Sequence, residues 1–382
     1  MRYHFHIPTK VVLEHNVSKR VADFLPELGV DRVMLLTDKG IRQAGLIDPI
    51  VQNLQAHVEV FSYDDVKPNP RDKDCDLAAA FARENGVNGI VAVGGGSVMD
   101  TAKAVSILLT HGGSINDWEG TDILQRETTP LICIPTTAGT GSEVTSTAVI
   151  TDTGRKIKMG VVDSRIFPRI ALLDPLLTRN LPASITASTG MDALTHAIEA
   201  YTSRVATPVT DALALHAINL IRHNLVEAVK NGGNLVAREN MMIASTIAGI
   251  AFGNSDVGSV HCIAEAVGGL YDTPHGVANS IFLPHVFEVN SVANLNRHAE
   301  VAYALGVSRQ LPAEQAVAEG VQLLFSLSER IGIPKFRDLP YVNPQDFPRL
   351  ASVAKQAPMD ASNARELTEE EYLAIIETAY RY

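Results

Sequence analysis

Gly190-Met191-Asp192-Ala193-Leu194-Thr195-His196-Ala197-Ile198-Glu199-Ala200 decides how the second half of this 382-residue chain is read. The stretch lacks proline and is rich in strong helix formers, so it reads as a helix with Asp192 and His196 on one face, their Cβ atoms roughly 5–6 Å apart. A carboxylate and an imidazole at that spacing suit a divalent ion. They equally suit a core histidine hydrogen-bonded by an aspartate, so the pair by itself leaves both readings open. Farther along stand Val260-His261-Cys262-Ile263-Ala264-Glu265 and Pro274-His275-Gly276. Asp192, His196, His261 and His275 could then enclose an ion and leave one position for substrate, as a catalytic site requires.

Outward from this stretch the pattern stays helical. Residues 210–231, 239–252 and 311–332 carry helical periodicity, and Thr368 to Glu371 form a capping box that opens a last helix. The first half differs: short apolar runs at 10–13, 32–38, 58–63, 89–93 and 131–135 alternate with helix-like segments such as 77–85. That alternation predicts βαβ units and a mainly parallel sheet covered on both faces. The expectation is an α/β, Rossmann-like dinucleotide-binding domain over residues 1–181 and an all-helical metal-binding and substrate domain over 182–382, divided where Leu177-Thr178-Arg179-Asn180-Leu181-Pro182 interrupts the pattern.

Length and composition agree with two soluble domains, with 46% hydrophobic and 20% charged residues. A net charge of −11 argues against nucleic acid as a partner. Cys75, Cys133 and Cys262 are odd in number and widely spaced, so they imply neither a disulfide framework nor a paired-cysteine zinc site, and the chain reads as cytoplasmic. The first residues show no basic segment leading into an apolar one, and no run of about 18 apolar residues occurs, so neither secretion nor a membrane is expected.

Residues 89–93 run into Gly94-Gly95-Gly96-Ser97 and on to a helix beginning near Val98. Glycines at a strand end let backbone approach a pyrophosphate, and the helix N-terminus offers free N–H groups and positive dipole. A second strand opens into Thr136-Thr137-Ala138-Gly139-Thr140-Gly141-Ser142-Glu143-Val144-Thr145, a loop dense in hydroxyls. Two such loops after successive parallel strands predict a cofactor crevice at the sheet's C-terminal edge. Asp38, ending another strand, can accept hydrogen bonds from an adenine ribose and repel a 2′-phosphate, which favours NAD over NADP.

The segments GMDALTHAIEAY, VHCIAEAVGGLYDTPHGVANS, GGGSVMDTAK, PTTAGTGSE and PNP at Pro68-Asn69-Pro70 resemble, in order and over essentially the whole chain, the iron-containing (group III) alcohol dehydrogenases, which include lactaldehyde reductases and propanediol dehydrogenases. The resemblance implies a dehydroquinate synthase-like fold and a homodimer or higher homo-oligomer. It implies Asp192, His196, His261 and His275 as metal ligands for Fe²⁺ or Zn²⁺, and Asn69, Gly95, Gly96, Ser97, Asp100, Thr136, Thr137, Thr140, Thr145 and Lys158 as cofactor residues, Lys156 being the competing lysine. Glu265 stands where many relatives carry a second histidine; four residues after His261, it could relay the alcohol proton, add a metal ligand or support a ligand histidine, and with His275 it is the expected catalytic residue. Asn363-Ala364-Arg365 replaces the usual Asn-Pro-Arg near the expected substrate end.

The expected activity is hydride transfer between a primary or secondary alcohol, or its aldehyde or ketone, and NAD, with the metal as Lewis acid. Two alternatives are carried: a glycerol dehydrogenase-like or dehydroquinate synthase-like enzyme, and a non-catalytic binding or assembly protein that keeps the fold. No Lys/Arg cluster flanks the ligand motifs, as a sugar-phosphate substrate would want.

Overall fold

A computed structural model describes residues 3–382. Nine strands occur in chain order: β1 Lys10–Leu13, β2 Arg32–Leu36, β3 Glu59–Tyr63, β4 Gly89–Gly94, β5 Gly120–Thr121, β6 Leu131–Pro135, β7 Thr147–Asp152, β8 Ile157–Val162 and β9 Ile170–Leu173. The helices among them are α1 Lys39–Gln43, α2 Asp48–Gln55, α3 Asp72–Glu84 and α4 Gly96–His111. They are followed by α5 Ala183–Thr202, α6 Pro208–Lys230, α7 Leu235–Phe252, α8 Ser259–Tyr271, α9 His275–Asn290, α10 Leu295–Leu305, α11 Ala313–Arg330, α12 Phe347–Gln356 and α13 Glu369–Arg381.

The described residues form two compact units, one of Ile7–Thr137 with Ser142–Arg179, the other of residues 3–6, Ala138–Gly141 and Asn180–Tyr382. Neither unit is one continuous run of chain: the tip of the hydroxyl-rich loop belongs to the helical unit. Gly139 shows why, since a Cβ there would lie 2.7–3.0 Å from Thr189 atoms of α5.

The α/β unit is built on a six-stranded sheet in the order β1-β9-β6-β4-β2-β3, parallel at every pairing. Successive strand residues enter different cores, as period two requires. Met34, Leu36, Ile90, Ala92 and Cys133 face α3 and α4, while Val33, Leu35, Val91, Val93, Ile132 and Ile134 face α2 and the segment Val17–Phe24. Burial on both faces explains why these strands read as unbroken apolar runs. The chain passes from β2 to β3 on one side and returns to β4 on the other, so the topological switch lies at the C-terminal ends of β2 and β4.

A second, three-stranded sheet, β5-β8-β7, departs from the parallel expectation: β7 and β8 pair antiparallel across a turn at Thr153 to Lys156. Strand β2 stops at Leu36, two residues short of the apolar reading, and α4 begins at Gly96 rather than Val98.

In the helical unit α5, α6 and α7 pack together, and α9 packs on α5, α8 and α11. Helix α7 has the length and mean hydropathy (1.2) of a membrane span, but 56% of it is buried against its bundle neighbours, as in a core helix. All three cysteines are free and buried.

Candidate metal centre and nucleotide crevice

Helix α5 carries Asp192, His196 and Glu199 at i, i+4 and i+7, all buried on one face. Helix α8 brings His261, and α9 begins at His275. Close approach of α9 to α5 depends on Gly276, where a Cβ would sit 2.2 Å from the Ser188 carbonyl oxygen. One ligand atom from each of Asp192, His196, His261 and His275 lies within 4.8 Å of the others.

The first three are buried, whereas the His275 side chain is 38% exposed, so solvent reaches the cluster from the His275 side. His196 stacks between Phe252 (4.2 Å between centroids) and His261 (4.6 Å), which fixes its ring plane. Burial lowers the His196 pKa to about 3, so the ring is neutral and able to donate a lone pair. Burial opposes the charged form of Asp192, but His196, His275, His261 and the Asn279 amide outweigh it and hold the carboxyl below its ordinary value.

Two buried polar atoms of this cluster, His196 Nδ1 and Asn279 Oδ1, have no hydrogen-bond partner. An orphaned buried polar atom costs about 1–3 kcal/mol, and an ion seated in the cluster removes that cost at His196. One carboxylate and three imidazoles suit Fe²⁺ and Zn²⁺ alike. The residues present therefore fit a divalent metal.

Two neighbours of the ligands escape a reading of the sequence. Asn279, one turn after His275, places its Nδ2 at 2.7 Å from Asp192 Oδ1, 3.2 Å from His261 Nε2 and 3.1 Å from His275 Nε2. Glu199 Oε2 stands 2.5 Å from His261 Nδ1, and its Oε1 accepts from the Val260 N–H at 2.7 Å. Burial works against a charged His261, yet the Glu199 carboxylate, with Asp192 and Glu265 behind it, raises its pKa. Both were marked only by spacing, Asn279 at i+4 from His275 and Glu199 at i+7 from Asp192.

Glu265 lies one turn beyond His261 on α8, half-buried, outside the four-residue cluster. Asn363 is not at a substrate surface. It is 3% exposed, accepts from the Ser259 N–H and from Asn290, and so backs the first turn of α8 behind His261.

In the α/β unit the two sides of the switch point carry Asp38 and the glycine turn. Asp38 caps α1, its Oδ1 accepting from the Ile41 N–H at 2.9 Å, and its Oδ2 has no hydrogen bond among the described residues. Gly96 and Ser97 lie in the first turn of α4, where N–H groups are free for an anion, with Gly95 as N-cap. Thr136 follows β6 beside Gly94, and its buried Oγ1 has no partner, while Thr137 Oγ1 would lie 3.2 Å from a Cβ on Gly95. Asn69 and Lys158 meet, Lys158 Nζ donating to Asn69 Oδ1 at 2.9 Å, whereas Lys156 is exposed in the hairpin turn. Asp100 and Thr145 point inward: Asp100 accepts from Ser142 Oγ and the Val149 N–H, and Thr145 Oγ1 accepts from Lys103. Thr140 belongs to the helical unit.

A parallel nucleotide-type sheet together with a cluster of one carboxylate and three imidazoles, buried except at His275, defines a metal-dependent dehydrogenase. Residues 8–175 match the family described as iron-containing alcohol dehydrogenase, and residues 186–380 match the C-terminal region of the Fe-containing alcohol dehydrogenase family. The chain belongs to the iron-containing alcohol dehydrogenase family.

It is 44% identical to a 1,3-propanediol dehydrogenase of Klebsiella pneumoniae over 359 residues, 92% of each chain. It is 38% identical to an NAD-dependent methanol dehydrogenase of Bacillus methanolicus, covering 98% of this chain and 99% of that one. The crystal structure of a 1,3-propanediol oxidoreductase superposes with a TM-score of 0.96 at 41% identity, over 99% of this chain and 100% of the other. The alternative readings, another reaction on this fold or a non-catalytic protein, gain no support from these likenesses.

Proposed function

We propose that the protein is an NAD-dependent, iron-dependent alcohol dehydrogenase acting on small primary alcohols and diols and on the matching aldehydes. The observation that carries this reading is the convergence of Asp192, His196, His261 and His275 within 4.8 Å, open on the His275 side. Relatives named for 1,3-propanediol and methanol support the substrate class. The reading assigns residues 1–181 to the nucleotide and 182–382 to metal and substrate.

Asp192, His196, His261 and His275 hold the ion. When bound, the metal supplies Lewis acidity at the substrate oxygen and the nicotinamide accepts or returns the hydride. The chain's own contribution is alignment. Gly95, Gly96 and Ser97 bind the pyrophosphate at the N-terminus of α4, and the free oxygen of Asp38 takes the adenine ribose. Thr136, Thr137 and Thr145 line or support the crevice, Asp100 braces it from beneath, and Lys158, steadied by Asn69, serves the second ribose. Glu265 carries the alcohol proton toward solvent, with His275 at the open edge. Three buried free thiols fit a cytoplasmic, reducing setting, and the family resemblance favours a homodimer or a larger homo-oligomer.

The test is NADH formation from C1–C4 alcohols and diols by protein loaded separately with iron and with zinc, beside His275→Ala analysed for metal content. Iron-loaded protein is expected to turn over and His275→Ala to lose both metal and turnover. Full activity of metal-stripped wild type, or none with any alcohol on iron loading, sinks the reading.

A further inference from the structure

Helix α8 starts in an unusual way. Its N-cap is Gly258, which has no side chain to satisfy the free N–H groups of the first turn. Two side chains from elsewhere do so: Asn363 Oδ1 accepts from the Ser259 N–H at 3.1 Å and Glu199 Oε1 from the Val260 N–H at 2.7 Å. Glycine is needed there, because a Cβ would sit 2.6 Å from Asn363 Oδ1 and 3.2 Å from Glu199 Oε1. With one oxygen committed to the helix, Glu199 has one left, and that oxygen meets His261 Nδ1 at 2.5 Å. Both side chains are 5% exposed.

We infer that Glu199 is the positioning residue of the metal centre: it fixes the tautomer and tilt of His261 so that Nε2 presents its lone pair to the ion. The inference rests on the metal reading above and names a residue outside the four ligands. A carboxylate accepts only, so Nδ1 carries a proton; in the neutral ring Nε2 is then the bare nitrogen, and the Asn279 amide N–H group at 3.2 Å gives it a donor to accept from. Nε2 is the nitrogen on the ligand side, where Asn279 Nδ2 also contacts Asp192 and His275. The negative charge also makes the imidazole a stronger donor, as carboxylate partners of ligand histidines do. Because the other oxygen of the same carboxylate is hydrogen-bonded to the start of α8, the acceptor that faces the ring is held in place by the helix that carries the ring.

Glu199→Gln separates this role from helix capping. Gln keeps the size of Glu and can still accept from Val260 through its carbonyl oxygen. Its NH₂ then faces His261 Nδ1 as a donor, which drives the ring proton onto Nε2 and fills the ligand lone pair. The control is Asn363→Ala, which removes the other cap acceptor and leaves the ring contact alone.

The readout is Co²⁺ affinity by titration of the metal-free proteins, with the ligand-field spectrum of the bound ion. The expected result is a Co²⁺ affinity about 10–100-fold weaker, with an altered spectrum, for Glu199→Gln, and a much smaller change for Asn363→Ala. Affinity of Glu199→Gln within twofold of wild type overturns the inference, as does equal weakening by Asn363→Ala. A mutation-free check is the ¹⁵N spectrum of zinc-loaded wild type, where His261 Nδ1 is expected to be protonated and hydrogen-bonded; a bare Nδ1 overturns the inference. Wild type that binds neither cobalt nor zinc strikes the metal reading instead.

Discussion

Lys103 Nζ donates to Ser142 Oγ at 2.8 Å, and that hydroxyl donates onward to Asp100 at 2.8 Å, tying α4 to the base of the hydroxyl-rich loop. The same ammonium reaches Thr145 Oγ1 at 3.2 Å and the Thr147 carbonyl at 2.7 Å. Lys103 is fully buried, and burial lowers its pKa. Burial likewise raises that of Asp100, against the pull of Lys103.

Lys103→Met is expected to strip three acceptors of their donor and leave Asp100 without the Lys103 charge that counters its burial. Breaking such a buried arrangement from one side costs about 3 kcal/mol or more. Urea unfolding followed in the α/β unit should show that loss, and NAD affinity should fall while metal content is kept. An unchanged unfolding midpoint would show that the loop holds itself.

Asp38 has two separable duties. Its Oδ1 caps α1 through Ile41, a contact whose loss costs about 1 kcal/mol, and its Oδ2 is left for a ribose. Asp38→Asn keeps an acceptor for the cap and removes the charge that repels a 2′-phosphate. The expected outcome is an unchanged melting temperature with a clear rise in kcat/KM for NADP relative to NAD. If the ratio of the two cofactors does not move, Asp38 only caps.

Glu265 follows His261 by one helical turn and its charge is felt at that ring. As a proton relay it must exchange a proton with substrate or solvent, so Glu265→Gln should lower kcat about 10²-fold and reshape the pH–rate profile without loss of metal. Loss of metal along with activity would make Glu265 part of the metal's support. No change in either would route the proton through water or the cofactor.

What could be read from the sequence followed local periodicity. Asp192 and His196 were visible because four residues return to one face of a helix, and the β4–α4 glycine turn because strand, glycines and helix are contiguous. Glu199 lay in the same segment at the next helical return, but its meaning depends on His261, 62 positions away, and no local pattern encodes that meeting. The β7–β8 hairpin is different: its strand Thr147–Asp152 alternates half-buried and buried residues, and Asp152-Thr153-Gly154 marks a turn, so the signal was present beside the louder threonine loop. The passage of Ala138–Gly141 into the helical unit had no sequence mark beyond two glycines, since it reflects the fit of Gly139 against Thr189.

His285 offers a test on stability alone, far along α9 from the ligand His275. It is 6% exposed and meets the rings of Phe325 at 5.0 Å and Tyr382 at 6.0 Å. Burial lowers its pKa from 6.5 to about 4. The unfolded chain therefore takes up a proton at this position at a pH where the folded chain does not. The stability that His285 contributes is fully present above pH 6.5, falls as the pH drops from 6.5 toward 4, and levels off below that, where the folded state is protonated too. The whole span is worth roughly 3 kcal/mol at most. His285→Leu removes the titrating group and keeps an apolar side chain against both rings. Urea unfolding at pH 7, 5.5 and 4, at fixed ionic strength, should show the variant gaining on wild type as the pH falls. A difference between the two proteins that stays constant across the three conditions would mean that His285 is not a source of acid sensitivity in this fold.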